Sequence, residues 1–267
     1  MQTVLDIQKI TKIFNINTVN ENVALNGLSL TLNDGDFVTV IGGNGSGKST
    51  MLNVIAGVYT AEDGKIIIDG TDVTGLPEHK RAPFIGRVFQ DPMMGTAASM
   101  EIEENLALAM RRGQCRGLGW GITQTERKKY FGLLKELGLG LEERLTSKVG
   151  LLSGGQRQAI TLLMATMKKP KLLLLDEHTA ALDPKTAAKV LELTEEIVSR
   201  DKLTTLMVTH NMKDAIAHGN RLIMLYKGRI VIDVEGEAKS KLTVEKLLKM
   251  FSDVSGSDEA DDKLLLS

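Results

Sequence analysis

A single cysteine and ten aromatic residues (6 Phe, 3 Tyr, 1 Trp) stand among 267 residues. A lone cysteine forms no intrachain disulfide, no four-cysteine zinc site and no cluster cradle, so a reducing setting is expected. With so few aromatics, the core must be packed from Leu, Ile, Val, Met and Ala. An excess of one charge is missing too. The 33 basic and 34 acidic residues give a net charge of −1, which argues against a generally basic nucleic-acid binder. No apolar run approaches the ~20 residues of a membrane helix; the best, Phe37–Ile41, Leu172–Leu175 and Leu222–Leu225, are short. Met1–Lys9 carries Asp6 and has no signal-peptide core. The chain is expected to be soluble by itself, with the length of one large domain or two small ones.

Strand signals come first. Val4–Ile10 and Gly27–Asn33 alternate apolar and polar residues, and Phe37–Ile41 is a β-branched run of the kind buried in parallel sheets. A helical stretch, Lys48–Gly57, stops at a glycine. Lys65–Asp69 and Ile85–Phe89 are further strand candidates. From Asp91 to Thr166 strand signal fades, and Glu101–Arg112, Thr123–Leu137 and Gln156–Met167 have helical spacing. Alternation then returns: strand Leu172–Leu175, helix Lys185–Arg200, strand Thr204–Val208, helix Met212–Ala217, and a hairpin of Leu222–Tyr226 and Arg229–Val234 turning at Lys227–Gly228. The tail from Ser252 holds Ser, Gly and acids and reads as mobile. Together these give an α/β core with a mostly parallel sheet, interrupted by a helical insertion.

Gly42-Gly43-Asn44-Gly45-Ser46-Gly47-Lys48-Ser49 fits G-x-x-x-x-G-K-[ST] between a strand and a helix. The glycines let consecutive N–H groups turn inward toward anionic oxygens, and the helix adds its positive end. Lys48 is suited to β- and γ-phosphates, Ser49 to Mg²⁺ and Thr50 to an α-phosphate. Leu172–Leu175 then delivers Asp176 and Glu177 to the carboxyl edge of the sheet, where ligands bind in open α/β folds. Asp176 is placed to hold Mg²⁺, and Glu177 to orient or deprotonate an attacking water. A second cradle, Leu152-Ser153-Gly154-Gly155-Gln156, precedes a helix starting near Gln156. Two cradles for one nucleotide make sense if they belong to two chains.

Leu152–Gln156 resembles the LSGGQ signature of ATP-binding-cassette ATPases, and the resemblance runs from about Val4 to Val234. It implies a RecA-like P-loop NTPase core with an inserted helical subdomain and an N-terminal antiparallel β subdomain. The implied layout is one ATPase domain over residues 1–253, with its core in 1–90 and 166–253 and the helical subdomain at about 91–165. A flexible acidic tail, 254–267, follows. The resemblance also implies that Phe14 stacks on adenine, where Tyr is more usual, and that Gln90 touches Mg²⁺ and the attacking water. Asp183 in Leu182-Asp183 would cross to a partner, and His210 would contact the γ-phosphate. Two copies would pair head to tail around two ATP molecules, each Lys48 loop facing the partner copy's Ser153–Gln156.

One departure stands out: His178 follows Glu177 where Pro or Ala is usual. It either tunes the charge of Glu177 or is a tolerated loop substitution. The run Glu177–Pro184 resembles bacterial subunits assigned to tryptophan or tyrosine uptake, an analogy only.

The implied partners are membrane permease subunits docking near Gln90–Glu104 and, through the complex, an extracytoplasmic substrate-binding protein, with no nucleic acid. Met93, Met94 and Met100 suit such a partner or this chain's own core. The Arg111–Trp120 loop suits a membrane surface or a solvated connector. The chain is thus expected to be the ATP-hydrolysing subunit of a bacterial importer, peripheral at the cytoplasmic membrane face. The competing readings are an exporter subunit, an ATPase of a soluble machine such as cluster assembly, and a binding-only nucleotide switch.

Overall fold

The apolar strands of the sequence assemble into two sheets with a helix between them. The computed structural model describes residues 2–114 and 121–255. The chain begins with β1 (Thr3–Phe14), β2 (Asn22–Asn33), β3 (Phe37–Ile41), α1 (Lys48–Ala56), β4 (Asp63–Ile68), β5 (Thr71–Asp72), α2 (Glu78–Arg81) and β6 (Ile85–Val88). A helical stretch follows, with α3 (Ile102–Met110), α4 (Gln124–Glu136), 3-10 turns at Glu142–Arg144 and Val149–Leu151, and α5 (Gly154–Thr166). Then come β7 (Leu172–Asp176), α6 (Pro184–Asp201), β8 (Thr205–Val208), α7 (Met212–Ala217), β9 (Arg221–Tyr226), β10 (Arg229–Glu235), α8 (Gly236–Ser240) and α9 (Val244–Ser255).

The first sheet has the order β2-β1-β4-β5 and is antiparallel. The second has the order β10-β9-β3-β8-β7-β6; its strands run parallel except β10, which turns back on β9. Strand alternation assigns each residue a face. Val38, Val40, Leu172, Leu174, Leu206 and Val208 pack with Met51, Leu52 and Ile55 of α1 and with Leu5, Ile7 and Leu25 of the antiparallel sheet. Leu173, Leu175 and Met207 point the other way, into α5, α6 and the helical stretch through Ile160, Leu163, Ile197, Leu106 and Leu134. The sheet interior is therefore apolar on both faces, and polar groups are pushed to its edges.

Several boundaries differ from the sequence expectation. β1 runs on past Ile10 to Phe14 because it bends at an irregular register around Lys9, which holds φ 48°. β2 starts at Asn22, ahead of Gly27. α5 starts at Gly154, not near Gln156. Ser153 Oγ accepts from Gln156 N–H while Gln156 Oε1 accepts from Ser153 N–H, a reciprocal cap that sets the first turn two residues earlier. Of the tail expected to be mobile from Ser252, residues 252–255 lie in a helix. α9 continues to Ser255, and Phe251, 3% exposed, packs edge-on to Tyr226 with ring centres 5.3 Å apart. Residues 256–267 of the expected acidic tail, and Cys115–Trp120 of the Arg111–Trp120 loop, lie outside the described residues. Among the described residues no helix is long and apolar enough to cross a membrane.

Candidate active site

Parallel pairing of β3, β8, β7 and β6 brings four carboxyl ends to one edge. In spatial order that edge carries the loop Gly42–Lys48, then His210, then Asp176 and Glu177, then Gln90. Residues separated by more than a hundred positions thus face one crevice, where open α/β sheets place ligands.

The loop after β3 is built for close approach. Gly42 sits at φ 152°, and a Cβ there would run into Leu225 O. Gly47, at φ 105°, opens α1 without any side-chain cap, so the first N–H groups of the helix are left for an anion. Ser46 is buried and its Oγ has no partner. Lys48, 7% exposed, donates from Nζ to Gly42 O at 2.7 Å and Gly43 O at 3.1 Å. Burial pulls the Lys48 ammonium below the usual lysine range, and the charges of Glu177 and Asp176 only partly restore it. Ser49 is exposed and Thr50 half-buried beside it.

Across the crevice, burial pushes the Asp176 carboxyl above its ordinary range, opposed chiefly by Arg87. Both shifts mark charges held out of water that counter-charges would relieve: an anion at Lys48, a cation at Asp176. Glu177 holds φ 45°, a left-handed backbone that non-glycine residues rarely adopt. Its N–H is donated to Val208 O at 3.0 Å, and its Oε1 lies 2.9 Å from His210 Nδ1. Gln90 is exposed at the end of the β6 segment. Phe14 meets Tyr59 edge-on with ring centres 5.3 Å apart, and the Lys12 ammonium lies 5.2 Å from the Phe14 ring centre.

Ser153 and Gly154 are exposed, and Gly154 and Gly155 rest on Leu182 and Thr186. Asp183 caps α6, accepting from Thr186 N–H at 3.1 Å, which holds its carboxyl below the usual carboxylate range. The chain thus brings Gly42–Thr50, Asp176, Glu177, His210 and Gln90 together. Ser153–Gln156 and Asp183 stand side by side, with Gly154 against Leu182 and Gly155 against Thr186.

One side chain near the site escaped the sequence reading. Arg87, on β6, lies 3.7 Å from Asp176 Oδ2, donates to Asn53 Oδ1 at 2.7 Å and stacks 4.5 Å over Phe89. Its signal was a lone charge inside an apolar strand. His178 stands in the turn after β7 and is 2% exposed. Thr194 donates its hydroxyl to Val190 O at 2.7 Å, so its oxygen is left to accept from His178 Nε2–H at 3.1 Å. Burial lowers the His178 pKa from 6.5 to about 4, leaving a neutral ring at pH 7.

Because the folded value lies below the unfolded one, the unfolded chain takes up this proton first. Stability from the neutral ring is intact above about pH 6.5 and is lost as pH falls toward about 4, by about 3 kcal/mol. Urea unfolding at pH 7 and 4.5 should show the parent losing more stability than His178→Gln over that interval. Parallel losses would contradict this assignment.

Comparison with known proteins fits this geometry. Residues 25–180 match the family model described as ABC transporter. The chain is 47% identical over 92% of its length to a tyrosine transport ATP-binding protein of Clostridioides difficile, spanning 98% of that protein. It is 36% identical over 78% of its length to the methionine import ATP-binding protein MetN of Rhizobium johnstonii, but spans only 56% of it. Among solved structures, a dimeric post-hydrolysis ATP-binding cassette bound to ADP and Pi aligns at TM-score 0.73 and 30% identity, over 86% of this chain and 98% of that one. A family match across most of the sheet edge and a relative aligned along nearly its full length lead to one conclusion: this chain belongs to the ABC transporter family, as an ATP-hydrolysing subunit.

Proposed function

We propose that this chain powers a bacterial importer of aromatic amino acids by closing as a pair of copies around ATP. The convergence of the Lys48 loop, Asp176, Glu177, His210 and Gln90 on one crevice carries this reading. Gly42, Asn44, Gly45, Ser46 and Gly47 turn backbone N–H groups toward the phosphates, and Lys48 supplies the cation. Phe14 offers a ring to the base. Ser49, Asp176 and Gln90 form an all-oxygen donor set suited to a hard cation, and would hold Mg²⁺. When bound, Mg²⁺ neutralises phosphate charge during transfer. Glu177 takes the proton of the attacking water, and His210, at 2.9 Å, orients that carboxylate and faces the γ-phosphate. Ser153 and Gly154 are exposed and stand beside Asp183, which suits service to a second copy's nucleotide. Residues 91–165 form the helical subdomain that carries the signature.

Met93 and Met94, 46% and 70% exposed, fit a permease docking face near Gln90–Glu104 better than this chain's own core. Attachment to permeases would hold the chain at the cytoplasmic membrane face, and a substrate-binding protein would deliver cargo outside. Import is supported by relatives named for methionine and for spermidine/putrescine import, although the chain spans little more than half of each. Aromatic cargo is supported by the tyrosine transport relative. Uptake of labelled tyrosine and tryptophan by cells lacking the chain tests the assignment. Uptake should fall and be restored by the parent but not by Lys48→Ala; unchanged uptake of both would sink the aromatic reading.

A further inference from the structure

α5 grips the segment after β6 at three points. Gln158, fully buried, donates Nε2–H to Phe89 O at 3.2 Å, the carbonyl just before Gln90. Arg157 rests against the Met93 sulfur, and its guanidinium donates to Gly150 O at 3.1 Å and to Val149 O and Leu152 O at 3.4 Å. Those carbonyls belong to the turn that leads into Ser153. The Thr161 methyl closes over Gly95, where an added Cβ would come within 2.5 Å of it. One helix therefore holds the segment 89–95 on its flank and the signature residues at its tip.

The Gln158 amide is not explained by packing. Its Oε1 is buried and has no partner, and an apolar side chain of that size would remove this orphan only by taking the donor from Phe89 O. Buried polar groups almost always find partners, so the exception points to the single bond that the amide does make, to Phe89 O. The covalent route from Gln90 to Ser153 runs through the loops and helices of residues 91–152. The route through Gln158 is one hydrogen bond and about 7.5 Å of rigid helix.

We propose that Gln158, with Arg157 beside it, is a positioning residue that couples the Gln90 segment to the signature loop. The state of the nucleotide at Gln90 then sets where Ser153–Gln156 stand toward a second copy. This rests on the reading above, in which Gln90 serves the chain's own nucleotide and the signature serves the partner copy's.

The test uses the full chain carrying Glu177→Gln, whose ATP-driven dimer is followed by sedimentation, with Gln158→Leu and Gln158→Met added singly. Both variants should keep the ATP affinity of the monomer, because the Lys48 loop is untouched, and should lower the thermal midpoint only modestly, because Phe89 O loses one donor. Both should weaken ATP-driven dimerisation by about tenfold, and in the otherwise parental chain lower kcat with KM unchanged. Dimerisation and kcat within about twofold of the parent in both variants would overturn the proposal, since coupling of the expected size exceeds that. A fall in thermal midpoint together with lost monomer binding would overturn it too, by making Gln158 merely structural. If the Glu177→Gln chain itself fails to dimerise with ATP, the underlying two-copy reading fails. That outcome is visible before any Gln158 variant is measured.

Discussion

Glu177→Gln should lower ATP turnover by about 10²- to 10⁴-fold, the range that a positioned general base contributes. The amide keeps the size of the carboxylate and keeps an oxygen 2.9 Å from His210 Nδ1. What is lost is the ability to take the proton of the attacking water. ATP affinity should therefore survive, because the Lys48 loop is unchanged, and the bound nucleotide should persist and trap a dimer. Phosphate release and equilibrium nucleotide binding measured on the same preparation check both halves. Near-normal hydrolysis would remove Glu177 from the role of base and return attention to His210 and Gln90.

Lys48→Ala acts at the opposite step. It removes the one side-chain cation in the glycine loop, so ATP affinity should fall about 10- to 100-fold, matching the 1.5–3 kcal/mol typical of hydrogen bonds to charged groups. The thermal midpoint should hold, because the lysine is already a desolvated cation whose removal relieves a cost even as Gly42 O and Gly43 O lose a donor. Calorimetric titration with ATP, set beside thermal unfolding, separates the effects. Unchanged affinity would contradict the phosphate-cradle assignment, and a collapsed midpoint would make Lys48 a structural residue.

The parts of the site legible in the sequence are those written locally. Gly42–Ser49 announces itself because backbone turns that bring N–H groups together need glycine at fixed offsets. Asp176 and Glu177 are marked by the apolar strand before them. Gln90 and His210 are single residues with no local pattern, and only the family resemblance pointed to them. Arg87 and Gln158 were invisible because tertiary packing gives them meaning. Arg87 meets Asp176 only through the β6–β7 pairing, and Gln158 meets Phe89 only when α5 lies under the end of β6. The burial of His178 was hidden for the same reason, since nothing in its neighbours along the chain reveals the contact with Thr194.

The fold follows a similar division. The parallel strands were legible from continuous apolar runs, and α3 and α4 from their spacing. α9 has no counterpart in the sequence reading, although Leu247 and Phe251 lie four positions apart on one face. That face becomes a core only once β9 and α7 provide the other side.

The central claim is that one chain's nucleotide is completed by the signature of another. Sedimentation of the Glu177→Gln chain with ATP, with and without Ser153→Arg, tests it most directly. Ser153 is exposed and its loss as a cap costs only about 1 kcal/mol, so the fold should survive. The two chains should bind ATP alike as monomers, and only the one with Ser153 intact should form a dimer. An ATP-driven dimer of equal strength in both would contradict the claim.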